Sequence, residues 1–198
     1  GADVVLPLAR ARADRCREGD RAAILAAAAA RKPSFTVLAQ LAIAQAALRD
    51  VDAARPTFAA TLRSRSRGAA TDLRQSLAAA LGEAGEIAAA IALLTEGLAS
   101  DPDNAGLLTA RGQLRQSAGD LAEAEADLTR AIALAPQEPE AYRAYANGRK
   151  SAADDPVAAG LATQLARPDL PARTRRVLRF AAAKFAQDRG DTAGEIDH

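Results

Sequence analysis

The stretch TDLRQSLAAALGEAGEIAAAIALLTEGLASDPDN, residues 71–104, is followed without a gap by AGLLTARGQLRQSAGDLAEAEADLTRAIALAPQE, residues 105–138. Laid one on the other, the two agree where a helical hairpin needs them to. Gly85 falls on Gly119, Ala90 on Ala124, Leu94 on Leu128 and Pro102 on Pro136, each pair 34 residues apart. Glycine accepts the left-handed backbone that closes a helix, so Gly85 and Gly119 end first helices. The acidic residue after each, Glu86 or Asp120, is expected to open the second helix as a cap or in its first turn, where it suits the positive helix end. Pro102 and Pro136 stop the second helices. The period therefore predicts a helix–turn–helix about every 34 residues.

The register extends both ways. Downstream, Pro139 begins a helix with Tyr142, Tyr145 and Ala146 at bulky, bulky and small positions. Upstream, counting from Phe35, Leu38, Leu41, Ala42, Ala54 and Phe58 keep the pattern, and two extra residues precede Thr71. The Gly-acidic pair recurs at Gly19-Asp20 and Gly190-Asp191. Helices are expected over 4–18, 20–31, 34–48, 51–64, 69–83, 86–99, 104–117, 120–134, 138–151, 156–165, 171–188 and 191–198. Leu62 to Gly68 and the stretch around Pro168 and Pro171 read as connections, and Pro56 falls inside a predicted helix. The result is an all-α chain, a right-handed superhelical solenoid of about six antiparallel hairpins. It divides into a divergent hairpin over 1–34, the clear array over 35–151, and C-terminal hairpins over 152–198. The last predicted helix opens a hairpin that nothing completes, and no polar capping helix follows. The expectation is that the chain is the N-terminal part of a longer protein.

Composition narrows the function. The formal net charge is +1, so no bulk field draws the chain to nucleic acid. Aromatics make up 3% of residues, with no Trp or Met, while Ala, Leu and Arg dominate. Ala suits closely stacked helices. Cys16 is alone, which leaves no partner for a disulfide within the chain, and it reads as a small packing residue. His198 is the single histidine, so triads and metal clusters built on histidine lack material. Carboxylates such as Glu123 and Asp127 are four apart, the spacing of a solvated helix surface. The glycines punctuate hairpins and form no phosphate-binding loop. No charge-free apolar run is long enough to span a membrane. No catalytic residue, cofactor site or metal site is expected, and the chain by itself is read as no enzyme.

The period and these residue types resemble the tetratricopeptide repeat family, over 35–151 and most specifically over 71–138. Arg74, Arg111 and Arg115 depart from the pattern, standing where bulky apolar residues are usual. The resemblance implies a concave groove, lined by first helices, that binds a peptide or partner protein. Its register puts Asp72 and Gln75, then Thr109, Gln113 and Gln116, then Glu140, Arg143, Asn147 and Lys150 on that side. The peptide-binding candidates are Gln75, Thr109, Gln113, Gln116, Arg143, Asn147 and Lys150. Arg143 and Asn147, one turn apart, form the strongest local pair. The competing reading is that these polar groups are merely solvated or pack against a neighbouring unit. Two arginine clusters, Arg63/Arg65/Arg67 and Arg173/Arg175/Arg176/Arg179, lack the aromatic interleaving of a nucleic-acid surface.

A second resemblance lies in residues 154–198, which look like the segment joining such arrays to a sulfotransferase domain in a bacterial family. It rests on Leu170, Pro171, Phe180, Ala181, Lys184, Gly190 and Asp191. It implies a downstream domain transferring sulfate from phosphoadenosine phosphosulfate, with this chain recruiting the substrate. The leading expectation is an interaction module with a protein or peptide partner. The alternatives are that recruiting role and a self-associating bacterial scaffold. A cytoplasmic location is expected, with the periplasm as the alternative because the sequence does not start with Met.

Overall fold

The computed structural model describes residues 2–62, 67–148 and 155–189, side chains of 2–15, 67–69 and 189 excepted. Every described element is an α-helix. In chain order they are α1 (Ala2–Arg31), α2 (Phe35–Ala47), α3 (Val51–Leu62), α4 (Arg67–Glu83), α5 (Ile87–Ser100), α6 (Ala105–Ala118), α7 (Leu121–Leu134), α8 (Pro139–Gly148), α9 (Pro156–Leu165) and α10 (Ala172–Arg189). The architecture is a succession of helical hairpins of the α-solenoid type. The chain forms two compact units, one ending at Leu93 and the other beginning at Leu94, so the division falls within α5.

The turns are built as the glycines require. Gly85 and Gly119 have φ of 86° and 90°, where a side chain would be strained. Each closes its helix with the paired bonds of a Schellman motif. Asp120 N–H donates to Arg115 O at 2.9 Å and Gly119 N–H to Gln116 O at 3.2 Å, and the same bonds recur at Glu86 and Gly85. The acidic residues open the second helices as expected, with Asp120 at the N-cap of α7, but Asp120 makes no side-chain cap bond. Glu86 accepts from Arg49 Nε at 2.9 Å. Arg49 itself has φ 65° and closes α2 with the same bond pattern, through Asp50 N–H to Gln45 O and Arg49 N–H to Ala46 O. A third turn of this kind is thus made without glycine, at the cost of a left-handed arginine.

In the unit ending at Leu93, α2 packs against α1, α3 and α4. Its core includes Leu41, Ala42, Phe58, Leu77 and Leu81. Ser34 caps α2 by accepting from Val37 N–H at 3.3 Å. The expected break at Gly19-Asp20 is absent: α1 runs through it as one helix. Gly19 has no positive φ. A glycine inside a helix costs about 1 kcal/mol, and the alanine-rich run from Ala22 to Ala30 favours continuation. Cys16 is exposed rather than packed. Pro56 lies within α3, which ends at Leu62, and α4 starts at Arg67.

In the unit beginning at Leu94, α6 packs against α7 and α8, and α7 against α8. Asn104 caps α6, its Oδ1 accepting from Leu107 N–H at 3.0 Å. Gly112 is required by close packing: a Cβ there would stand 2.7 Å from Leu128 Cγ and 3.2 Å from Ala124 O. Beyond α8 the simple alternation changes, because α10 packs on both α8 and α9. Tyr145 meets Phe185 of α10 with ring centroids 6.1 Å apart. Asp155, buried, accepts from the Tyr145 hydroxyl at 3.2 Å and caps α9 through Val157 N–H at 2.9 Å. Lys150, the Gly190-Asp191 turn and the helix expected over 191–198 lie outside the described residues.

Candidate functional site

The site residues expected from the register fall on first helices: Gln75 on α4, Thr109, Gln113 and Gln116 on α6, and Arg143 and Asn147 on α8. Gln75 belongs to the unit ending at Leu93 and is half-buried. The others sit together in the second unit, where α6 and α8 are packed neighbours. Thr109 and Arg143 share one repeat position, Gln113 and Asn147 another, each pair 34 residues apart.

Their hydrogen bonds separate them into two kinds. Gln116 is structural: its Nε2 donates to Ala144 O at 2.8 Å, tying α6 to α8. That contact also explains Gly148, where a Cβ would lie 1.9 Å from the same nitrogen. Gln116 further lines a cavity of about 240 Å³ with Leu121, Glu125, Leu128 and Tyr145. Thr109 donates its hydroxyl to Ala105 O of its own helix at 2.9 Å. Arg143 pairs with Glu140, Nε to Oε2 at 2.7 Å, on a surface where both side chains are substantially exposed. Gln113 and Asn147 make no side-chain hydrogen bond among the described residues. Gln113 is half-buried and Asn147 exposed.

The arginines that break the pattern are framework. Arg111 grips Asp127 with two bonds, Nε to Oδ2 at 2.8 Å and Nη2 to Oδ1 at 2.7 Å. Arg115 Nη1 donates to Asp127 Oδ2 at 2.6 Å, and Arg111 Nη1 to Thr95 Oγ1 at 3.1 Å. Asp127 is 5% exposed, so the surface role suggested by its spacing from Glu123 is wrong. Two cations on one buried carboxylate give it the charge-assisted partners burial demands. Arg74 instead donates to Leu93 O at 2.8 Å and lies 5.1 Å from the Phe58 ring centre. The signal that could have found this network was the joint replacement of three apolar positions by two bases and an acid. Among the described residues, no group of three or more His, Cys, Asp or Glu could hold a metal ion, and no helix is long and apolar enough to cross a membrane.

The hairpins, the left-handed glycine turns and the close Gly112 contact agree with the family comparison. Residues 81–148 match the tetratricopeptide repeat family. This stretch is tetratricopeptide repeat. Such repeats serve generally as protein-interaction modules, and the match covers α5 through α8, including the α6–α8 face. No curated protein matches the sequence. Among solved structures, the MamA RS-1 ArsTM double mutant is similar at 16% identity with a TM-score of 0.49, over 97% of this chain and 96% of that one. The family match does not bring in a sulfotransferase.

Proposed function

We propose that the chain binds a protein partner by holding an extended peptide segment on the α6–α8 face, with Gln113 and Asn147 as its principal contacts and Arg143 beside them. The observation that carries this reading is the pair of carboxamides at equivalent repeat positions with no hydrogen bond in the described chain. Each offers two donors and an acceptor, which match the alternating N–H and C=O of an extended backbone. Arg143 adds a cation for a peptide carboxylate. Its exposed pair with Glu140 is worth about 0–1 kcal/mol, so exchange for a ligand is cheap. Gln116 and Thr109 leave the list of primary contacts because their donors are used within the fold. Gln75 is a separate, weaker candidate on α4. The role is binding rather than catalysis.

The test is peptide display against the whole chain, followed by titration of the selected peptide against Gln113→Ala/Asn147→Ala. The expected result is a loss of about tenfold or more, the size of two lost hydrogen bonds, with unchanged unfolding. Undiminished affinity would remove both residues from the site.

A further inference from the structure

The full sequence carries a formal charge of +1, yet α10 alone holds Arg173, Arg175, Arg176, Arg179, Lys184 and Arg189 against a single acid, Asp188. One helix concentrates the basic excess. Its inner side is committed: Leu178, Ala181 and Phe185 are buried, and the helix packs on α8 and α9. Two of its bases are engaged. Lys184 pairs with Asp188, and Arg175 Nη2 donates to Arg167 O at 3.3 Å and Pro168 O at 3.4 Å.

Arg173, Arg176 and Arg179 differ. All three are exposed, and none has an ion pair among the described residues. At 3.6 residues per turn they share with Phe180 an arc of about 120°, opposite the buried side. Phe180 is 54% exposed. An outward aromatic set among three guanidinium groups without an ion pair among the described residues is unusual for a surface that meets only water.

We infer that this face of α10 docks an acidic helix of a partner protein that carries one apolar anchor residue. Charge complementarity selects acid. Arginines three residues apart rise about 4.5 Å along the helix, which suits carboxylates spaced three or four residues apart on another helix, each able to accept a forked pair of bonds. Phe180 supplies the apolar contact within the basic arc, next to Arg179 at its C-terminal end. A lipid surface fits less well, because an interfacial helix buries a broad apolar face and that of α10 is already packed. Single-stranded nucleic acid fits less well, because successive bases need several stacking rings and this face has one.

The experiment titrates the whole chain against a labelled synthetic helical peptide with Glu at three- and four-residue spacing and one Leu. The same peptide scrambled, phosphatidylserine vesicles and a single-stranded oligonucleotide are run beside it. The helical peptide is expected to bind more tightly than all three. Arg173→Gln/Arg176→Gln/Arg179→Gln is expected to weaken it by about tenfold or more, and Phe180→Ala by less, with unfolding curves unchanged. The Gln113→Ala/Asn147→Ala chain is expected to bind it normally, which separates this face from the α6–α8 face. Equal binding by the arginine variant, equal binding of the scrambled peptide, or tighter binding of vesicles or oligonucleotide overturns the inference.

Discussion

Where residues 71–104 carry Leu77, Leu81 and Leu93, residues 105–138 carry Arg111, Arg115 and Asp127, each pair 34 residues apart. The leucines are buried apolar groups. The arginines are joined to a buried aspartate, with side-chain exposures of 14% and 21% for the arginines and 6% for the acid. Both repeats keep the same helices and the same left-handed glycine. The hairpin is therefore specified by its turn and its small-residue contacts, while the chemistry between its helices can change if the whole set changes together. It also follows that a polar residue on a first helix is not automatically a ligand contact. Arg111, Arg115 and Gln116 are consumed by the fold, whereas the Gln113 and Asn147 side chains are left over among the described residues.

The largest effects should come from breaking each set singly. Asp127→Ala leaves two partly buried cations without a counter-charge and should cost about 3–5 kcal/mol. Leu93→Ala, its equivalent, should cost about 2–5 kcal/mol through lost burial and a cavity. Urea unfolding measures both, and an Asp127→Ala loss near zero would show that the ion set is incidental. Changing the set together should reverse the sign. Arg111→Leu/Arg115→Leu/Asp127→Leu should be neutral or gain about 1–4 kcal/mol, because a packed apolar set avoids the desolvation of three charges.

The small position gives a finer comparison. Ala78 is buried in the first repeat, and its equivalent Gly112 touches Leu128 too closely for a Cβ. Gly112→Ala gains about 1 kcal/mol of helix propensity and loses about 1–3 kcal/mol to overpacking, so thermal unfolding should show no gain and a loss of up to about 2 kcal/mol. Smallest is a pH effect. Burial raises the Tyr142 phenol above its ordinary 10.0. The resulting stabilisation is present below the unfolded value and is lost as pH rises through the folded one. Tyr142→Phe should flatten that alkaline decline in a pH series of unfolding curves.

Much of the fold was legible because its signals are local. Glycines with positive φ, prolines after second helices and a fixed period each constrain the backbone near themselves. The break expected at Gly19 failed because glycine permits a left-handed turn without requiring one. The Arg49 turn was illegible because arginine has no preference for the conformation it adopts there. The pairing of α8 with α10 depends on contacts distant in sequence. The candidate face was legible only as a register. Which of its side chains are already occupied depends on partners such as Ala144 O and Glu140, which no periodicity reveals.

The central claim is that framework polarity and binding polarity are separable. It is tested most directly by titrating one display-selected peptide against three whole chains: unsubstituted, Arg111→Leu/Arg115→Leu/Asp127→Leu, and Gln113→Ala/Asn147→Ala. The leucine chain should bind as the unsubstituted chain does, while the alanine chain loses about tenfold or more in affinity at unchanged stability. The opposite pattern, with binding lost in the leucine chain and kept in the alanine chain, would contradict the account.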